Sequence, residues 1–564
     1  MKILGIWDGH DSGAALVEGD SILFAVNEER LSRRKLEIAF PYRSIEACLR
    51  STDTGIEEIS HIACSTSDFA KTLTRVFPSL KEEYYLIRRR KRPPGRFTSL
   101  KKGMKYRLTE YPPSALTKAI SRNRVEKRLK QAGFRDFRLH LIDHHLSHAS
   151  AAALCSGFEE SVVVTLDGLG DGLSGSVYVF RDNELDKKAS LSARHSLGIF
   201  FEHVTNLMNM RELEDEGKVM ALANYAYPVA DEQNPLMDLI DVQDLSIRCR
   251  YSSLAMYNEL KKIFWTYPSE QFAYMAQRTL EVKILELVRR AIALTGIGRV
   301  CLSGGIFSNV KVNRLIRLMP EVEQCFVFPH MGDGGLALGT AIEANRRLCG
   351  TTRMALDDVF LGPAYGEDEM EGAIREAGLH YTKSSDIVQD VAEIIVGGGI
   401  VFWFQGYMEL GPRALGNRSI LARSDSERIK DALNLRLKKR VWYQPFCPSI
   451  LEEDAPDILE DYDGHPDSFM TMAYMVREEK RNVMQGVINV DGSCRPQIVP
   501  QGDCLYRRLL ETIRGMTGYG LVLNTSFNLH GEPMVCSPRD AVKTMVTTGN
   551  EYLAMGNILV KREI

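Results

Sequence analysis

The chain has 564 residues, 44% of them hydrophobic and 26% charged, with a formal net charge of -3. Such a length exceeds the roughly 250–300 residues at which one core stops growing, so two or three domains are expected, each able to bury a full core. The near-neutral charge argues against a dedicated nucleic-acid binder, no apolar run approaches the ~20 residues needed to cross a bilayer, and an odd set of 11 cysteines without a C-x-x-C pair argues against zinc ribbons and disulfide frameworks and for a reducing cytoplasm.

Taken in chain order, "KILGIW" (2–7) reads as a strand, "DGHDSG" as a loop, and "AALVEGDSILFAVN" as a hairpin turned at Gly19 and Asp20. The polar break after the first seven residues leaves no room for a secretory h-region. From Ser51 to about Arg138 the composition predicts an inserted excursion of short helices, whose stretch 88–107 carries ten Lys or Arg in twenty residues. That stretch is either a polyanion patch or a solvated charged face, and the second is expected. Residues 139–345 alternate strand and helix patterns, which predicts α/β layers. A linker-like "LGPAYGEDEM" (361–370) precedes a final unit from about residue 385. No short-period repeat is visible.

"LIDHHLSHASAAAL" (141–154) gathers three of the chain's 12 histidines. On a helix His144 and His148 share a face, with Cβ atoms about 5–6 Å apart, and His145 points elsewhere. Two such imidazoles suit one metal, and the natural completing ligands are carboxylates at glycine-flanked strand ends, Asp167 in "TLDG" and Asp333 in "MGDGG". Iron, manganese and zinc all suit that donor set. The turns "LDGLGDG", "LSGGIFSN" and "MGDGGLALG" let backbone N–H groups approach a phosphate, although none matches a P-loop or dinucleotide fingerprint.

Together, "HDSGAAL", "EERLSRRK", "DHHLSHA", "HSLGIFF", "EGKVMALA", "LSGGIFSN" and "HMGDGGLALG", followed by "MELGPRALGNRS", "DGSCRPQ" and "LNTSFNLHGEP", resemble the O-carbamoyltransferases of the NodU and CmcH type. The resemblance implies an α/β chain: an actin-like ATPase (Kae1-like) domain over residues 1–355 with a basic insertion at about 70–138, then a YrdC-like domain over residues 385–564. It implies that the second domain makes carbamoyl-adenylate from carbamoyl phosphate and ATP. The first domain passes the carbamoyl group to a hydroxyl of a small-molecule or sugar acceptor. By the same resemblance His10 is the general base, Asp8 faces the acceptor, and Lys35, Gly304, Gly305, Asn309 and Asp333 contact the nucleotide intermediate. Arg413, Arg418, Lys438, Arg495, Ser526 and Asn528 hold carbamoyl phosphate and ATP. His144, His148, Asp167 and Asp333 bind a divalent metal, Fe(II) by family expectation.

The chain departs from the family pattern at Gln444 in "YQPFCP", where an arginine is common, and at Ala221, where glycine is usual. Two rival readings are a tRNA- or protein-modifying carbamoylation enzyme and a nucleic-acid-binding module resting on the basic stretch. The zinc-finger cysteine pairs and opposite domain order of the hydrogenase-maturation type are missing. No RNA- or DNA-binding signature accompanies the basic residues, so neither membrane nor nucleic acid is an expected partner.

Overall fold

The computed structural model describes residues 1–93, 103–104, 107–465 and 467–562. Much of the basic stretch 88–107 therefore lies outside the described residues. Packing divides the chain into two compact units, one of Met1–Glu28 with Glu37–Leu356, the other of Glu29–Leu36 with Asp357–Ile564.

In the first unit β1 (Lys2–Trp7), β2 (Gly13–Glu18) and β3 (Ser21–Asn27) form an antiparallel meander. Its β2–β3 turn sits at Gly19, whose φ of 59° suits a residue without a Cβ. Two strands, β4 (His61–Ser65) and β5 (Arg138–Ile142), add in parallel, giving the order β3-β2-β1-β4-β5. The stretch expected to hold only short helices thus contributes a strand at the heart of this sheet. "HIACS" is a short apolar run buried on both faces, and periodicity cannot distinguish such a run from helix. The helices Phe69–Val76, Pro78–Arg88 and Ala115–Gln131 make up much of the rest of the excursion.

A second sheet repeats that topology. β6 (Ser161–Gly170), β7 (Leu173–Arg181) and β8 (Glu184–Ser192) form a meander, a small hairpin follows with β9 (Ile240–Gln243) and β10 (Ser246–Cys249), and β11 (Arg299–Ser303) and β12 (Gln324–Val327) add in parallel. The order is β8-β7-β6-β11-β12. An actin-like ATPase fold requires this kind of duplication. The repeat is one of topology rather than of residues, which is why the letters show no period.

The helix His144–Cys155 is buried along almost its whole length, which its run of small residues permits. Gly339, on the helix Leu336–Cys349, meets it so closely that a Cβ there would stand 2.3 Å from the Ser147 carbonyl oxygen. One glycine of "MGDGGLALG" therefore serves helix packing, not phosphate approach.

The second unit is built on a mixed eight-stranded sheet. Its strands are β13 (Thr382–Lys383), β14 (Val401–Phe404), β15 (Arg418–Ala422), β16 (Cys447–Leu451), β19 (Gln497–Val499), β20 (Leu521–Ser526), β21 (Tyr552–Met555) and β22 (Ile558–Lys561), with a ribbon of β17 (Tyr474–Met475) and β18 (Ser493–Cys494) apart from it. The helices Ile387–Val396 and Leu505–Thr517 bury Val391, Ile395, Leu509 and Ile513 in one apolar cluster with Trp403.

This unit starts earlier than residue 385, since the segment read as a linker leads into the helix Glu367–Glu376 and belongs to it. It also takes in residues 29–36. Leu31 packs on Met408, Ala414, Met534 and Cys536. Arg30 donates to the Gly411 carbonyl at 2.8 Å, and Arg33 lies 3.3 Å from Asp540.

Candidate active sites

In the first unit four side chains separated by up to 189 positions converge. The Nε2 atoms of His144 and His148 lie 3.3 and 3.4 Å from Asp167 Oδ2 and 3.6 and 3.8 Å from Asp333 Oδ1. Each residue offers one ligand atom, and all these atoms lie within 4.8 Å of one another. Each imidazole is aimed from behind: Nδ1 of His144 meets Thr66 Oγ1 at 3.0 Å, and Nδ1 of His148 meets Ser303 Oγ at 3.1 Å. Such outer partners fix ring orientation and leave Nε2 to a metal.

Two observations fit a cation here. The buried Nε2 of His148 has no hydrogen-bond partner. The two carboxylates are also electrostatically opposed: burial and then the neighbouring Asp167 charge push Asp333 well above the usual carboxylate range. Burial would raise Asp167 as well, but the His144 hydrogen bond and the neighbouring His148 imidazole hold it well below that range. A divalent ion lets both carboxylates ionise at once, and the two-nitrogen, two-oxygen donor set suits a borderline metal. His145 belongs to another role, with Nδ1 at 3.1 Å from Thr165 Oγ1 and burial holding it well below its ordinary value.

His10 stands beside this cluster, its Nδ1 3.4 Å from Asp333 Oδ2 and 3.2 Å from the Tyr85 hydroxyl. Burial raises the Tyr85 phenol, which therefore stays protonated at neutral pH. Both residues line a cavity of about 900 Å³ that also reaches His144 and Asp333. Asp8 does not face it. Its carboxylate is held by two Arg75 N–H groups at 2.9 Å each and lies 2.7 Å from the Lys71 ammonium, so the expectation of an acceptor contact is replaced by a buried ion-pair role.

Gly304 has a φ of 105°, and a Cβ there would stand 2.1 Å from the Leu166 carbonyl oxygen. One at Gly305 would stand 2.9 Å from Asp167 Oδ1, so this loop is pressed against the strand that carries a metal ligand. Asn309 is occupied locally, its side chain capping the helix Val310–Arg317 and pairing with Gln277 at 2.8 Å.

The second unit gathers charge of one sign. Arg495 donates from Nε and Nη2 to Cys447 Sγ at 3.2 and 3.0 Å. Burial, then the Arg495 charge, lowers Arg413 to about 9, and burial, against some help from Cys447, lowers Arg440 to about 10. Lys438 donates to Asn528 Oδ1 at 2.7 Å and to the Ser526 carbonyl. Burial, Arg440 and Lys35 together hold it well below its ordinary value. Ser526 and Asn528 hold each other through a 2.8 Å hydrogen bond. Lys35, read from the sequence as a first-domain residue, thus sits in the second unit within reach of the Lys438 charge.

Among the described residues no carboxylate pairs with Arg413, Lys438, Arg440 or Arg495, and the buried Nε of Arg413 has no partner. Cations held together without counter-charge form a site for an anion. Arg418, expected in the same site, is held differently. This side chain is fully buried over the Phe404 ring at 3.7 Å and gives its N–H groups to the carbonyls of Gln405, Gly406, Asn417 and Pro363. Its Nη donors thus go to backbone carbonyls rather than toward the expected phosphate, while its buried Nε has no partner among the described residues. The Gln444 side-chain oxygen is likewise buried without a partner.

Thr66, Ser303, Tyr85 and Cys447 carry no signal that the sequence reading singles out. Ser303 could have been picked, since it closes β11 directly before the glycine pair. Nothing local marks Tyr85.

The chain matches the family model "Carbamoyltransferase N-terminus" over residues 2–342 and "Carbamoyltransferase C-terminus" over residues 392–562. It is 32% identical to "Nodulation protein NolNO" of Sinorhizobium fredii over 568 residues, covering 98% of this chain and 79% of that one. An uncharacterized protein of Methanocaldococcus jannaschii is 30% identical over 580 residues, 99% of each chain. The solved structure of HypF from T. kodakarensis aligns with 62% of this chain and 48% of its own at 13% identity and a TM-score of 0.35, too slight a likeness to carry a functional argument.

Proposed function

The chain belongs to the carbamoyltransferase family and is an O-carbamoyltransferase, and from that premise we propose that it works in two steps, one in each unit. In the second unit carbamoyl phosphate and water give carbamate and phosphate. The carbamate oxygen then attacks the α-phosphorus of ATP, and carbamoyl-adenylate and pyrophosphate result. Arg413, Arg440, Arg495, Lys438 and Lys35 supply the positive charge that gathers these anions, and bidentate guanidinium contacts orient them. Ser526 and Asn528 hold Lys438 in place.

In the first unit an acceptor hydroxyl attacks the carbamoyl carbon, its proton passes to His10, and AMP leaves with the bonding electrons of the cleaved C–O bond. A neutral imidazole suits that task near pH 7. Asp333 and the Tyr85 hydroxyl orient His10 through its Nδ1. His144, His148, Asp167 and Asp333 would hold a divalent cation, iron(II) in the family reading, which supplies Lewis-acid stabilisation of charge on the nucleotide and the group transferred. Gly304 and Gly305 shape the backbone beside it. The acceptor is a small molecule with a free hydroxyl.

The observation that carries this reading is the adjacency of a base candidate and a four-ligand cluster at one cavity, through the shared residue Asp333. Full-length protein given ATP and carbamoyl phosphate is expected to exchange labelled pyrophosphate into ATP without any acceptor. His10→Ala keeps that exchange and slows formation of the acceptor's carbamate ester by about 10²–10⁴-fold. Loss of both half-reactions in a folded His10→Ala protein would overturn the division of labour.

A further inference from the structure

The cavity against His10 has a lining that says what kind of alcohol enters it. The helix Pro78–Arg88 turns Leu80, Tyr84 and Ile87 toward it at helical spacing, and Trp7, Leu73 and Leu108 add further apolar wall. His10, Asp333 and His144 meet at one place on its wall, and charged side chains such as Asp68, Lys71 and Glu83 also line it. A bare oligosaccharide placed here would strip water from many hydroxyls that find no partner along the apolar wall, at about 1–3 kcal/mol for each one left unsatisfied.

A polyamine-bearing sugar fares no better, because the lining charges are matched to one another. Arg88 pairs with Glu212 at 2.5 Å and also with Glu202, while Lys71 lies 2.7 Å from Asp8. Asp68 accepts from the Lys71 and Asp171 backbone N–H groups at 2.7 and 3.2 Å. Arg90 donates to Asn209 and to the Asn206 carbonyl. Among the described lining residues four carboxylates stand against one lysine and three arginines, so ammonium groups would meet no surplus of negative charge. The volume of about 900 Å³ lies near the top of the ~300–1,000 Å³ range of sites that enclose compact organic ligands.

Resting on the two-step reading above, we infer that the acceptor is an alcohol whose hydroxyl is carried on an apolar, ring-containing scaffold, and that the Pro78–Arg88 face selects it. The scaffold lies along Leu80, Tyr84 and Ile87, and the hydroxyl reaches His10. Apolar burial of such a body contributes roughly 25 cal/mol per Å² toward binding.

Binding tests this without relying on turnover. Full-length protein is titrated with 2-(2-naphthyl)ethanol, D-glucose and kanamycin, followed by tryptophan fluorescence and equilibrium dialysis. The naphthyl alcohol is expected to bind at least tenfold more tightly than either sugar. Leu80 is 47% exposed, so Leu80→Lys leaves the fold intact, and it is expected to weaken the naphthyl alcohol at least tenfold while pyrophosphate exchange is unchanged. Equal or tighter binding of glucose or kanamycin, no binding of the naphthyl alcohol, or indifference of its affinity to Leu80→Lys would each overturn the inference. Absence of pyrophosphate exchange in the wild-type protein with naphthyl binding intact would instead sink the two-step reading and leave this one standing.

Discussion

Set side by side, the polar centres of the two units solve the cost of buried charge in opposite ways. The first mixes signs, two imidazoles against two carboxylates within 4.8 Å, a set in which a small cation would let both acids ionise. The second gathers Arg413, Arg440, Arg495 and Lys438 with no carboxylate pairing among the described residues, so that beyond burial the Arg495 charge lowers Arg413 and Arg440, and the Arg440 charge lowers Lys438. A mixed cluster asks for a point charge, whereas a one-sign cluster asks for a distributed anion such as a polyphosphate. The kind of ligand can thus be read from the sign of the charge left over.

Removing a member of the mixed cluster breaks this comparison most severely. His148→Ala or Asp167→Asn is expected to abolish metal retention, measured by elemental analysis of dialysed protein, and formation of the acceptor's carbamate ester with it, while pyrophosphate exchange survives. In the one-sign cluster Arg413→Ala is expected to lower exchange by about 10²–10³-fold with little change in melting temperature, the cost of deleting one preorganised donor. Arg418→Ala is the contrasting variant. It leaves several carbonyls without donors at about 1–3 kcal/mol each, so thermal unfolding moves down by several degrees. An Arg418→Ala protein as stable as wild type but dead in exchange would return that residue to the anion site.

A smaller effect is expected from Ser303→Ala, which removes the partner behind His148 and weakens metal affinity by roughly 10–100-fold, read by competition with a chelator. The smallest is a pH slope. Asp167 is lowered by imidazoles, but Glu216, buried beside Glu202, has its carboxyl pushed up to about 8, mainly by burial, from an ordinary 4.5. The native state keeps a proton that the unfolded chain releases above 4.5. The stability this group confers is therefore complete below 4.5 and is lost as pH climbs to about 8. Denaturant midpoints compared at pH 5 and pH 8 are expected to differ less in Glu216→Gln than in wild type.

Much of the first centre is legible in the letters because its parts are local. His144 and His148 are four apart on one helix, and Asp167 and Asp333 sit at glycine-marked turns, so spacing and turn chemistry already select them. The second centre is harder, since arginine looks the same whether it faces a ligand or the core. Arg413 and Arg418 share one motif, yet the side chain at the start of β15 spends its Nη groups on backbone carbonyls, whereas Arg413 lies half-buried beside the Arg495 charge. Asp8 misleads for a similar reason: its partners Lys71 and Arg75 come from a helix more than sixty positions away. The hairpin at Gly19 is readable from dipeptide chemistry, whereas β4 hides because a five-residue apolar run carries no period.

The second unit borrows residues 29–36 from within the first stretch of chain. A gene fragment beginning at residue 357 would therefore encode a body lacking Leu31, Arg33 and Lys35, so its apolar seat of Met408, Ala414, Met534 and Cys536 would be left uncovered and one cation fewer would stand near Lys438. The second unit is not modular in the genetic sense: moving it out of this chain means transplanting two discontinuous pieces of coding sequence together.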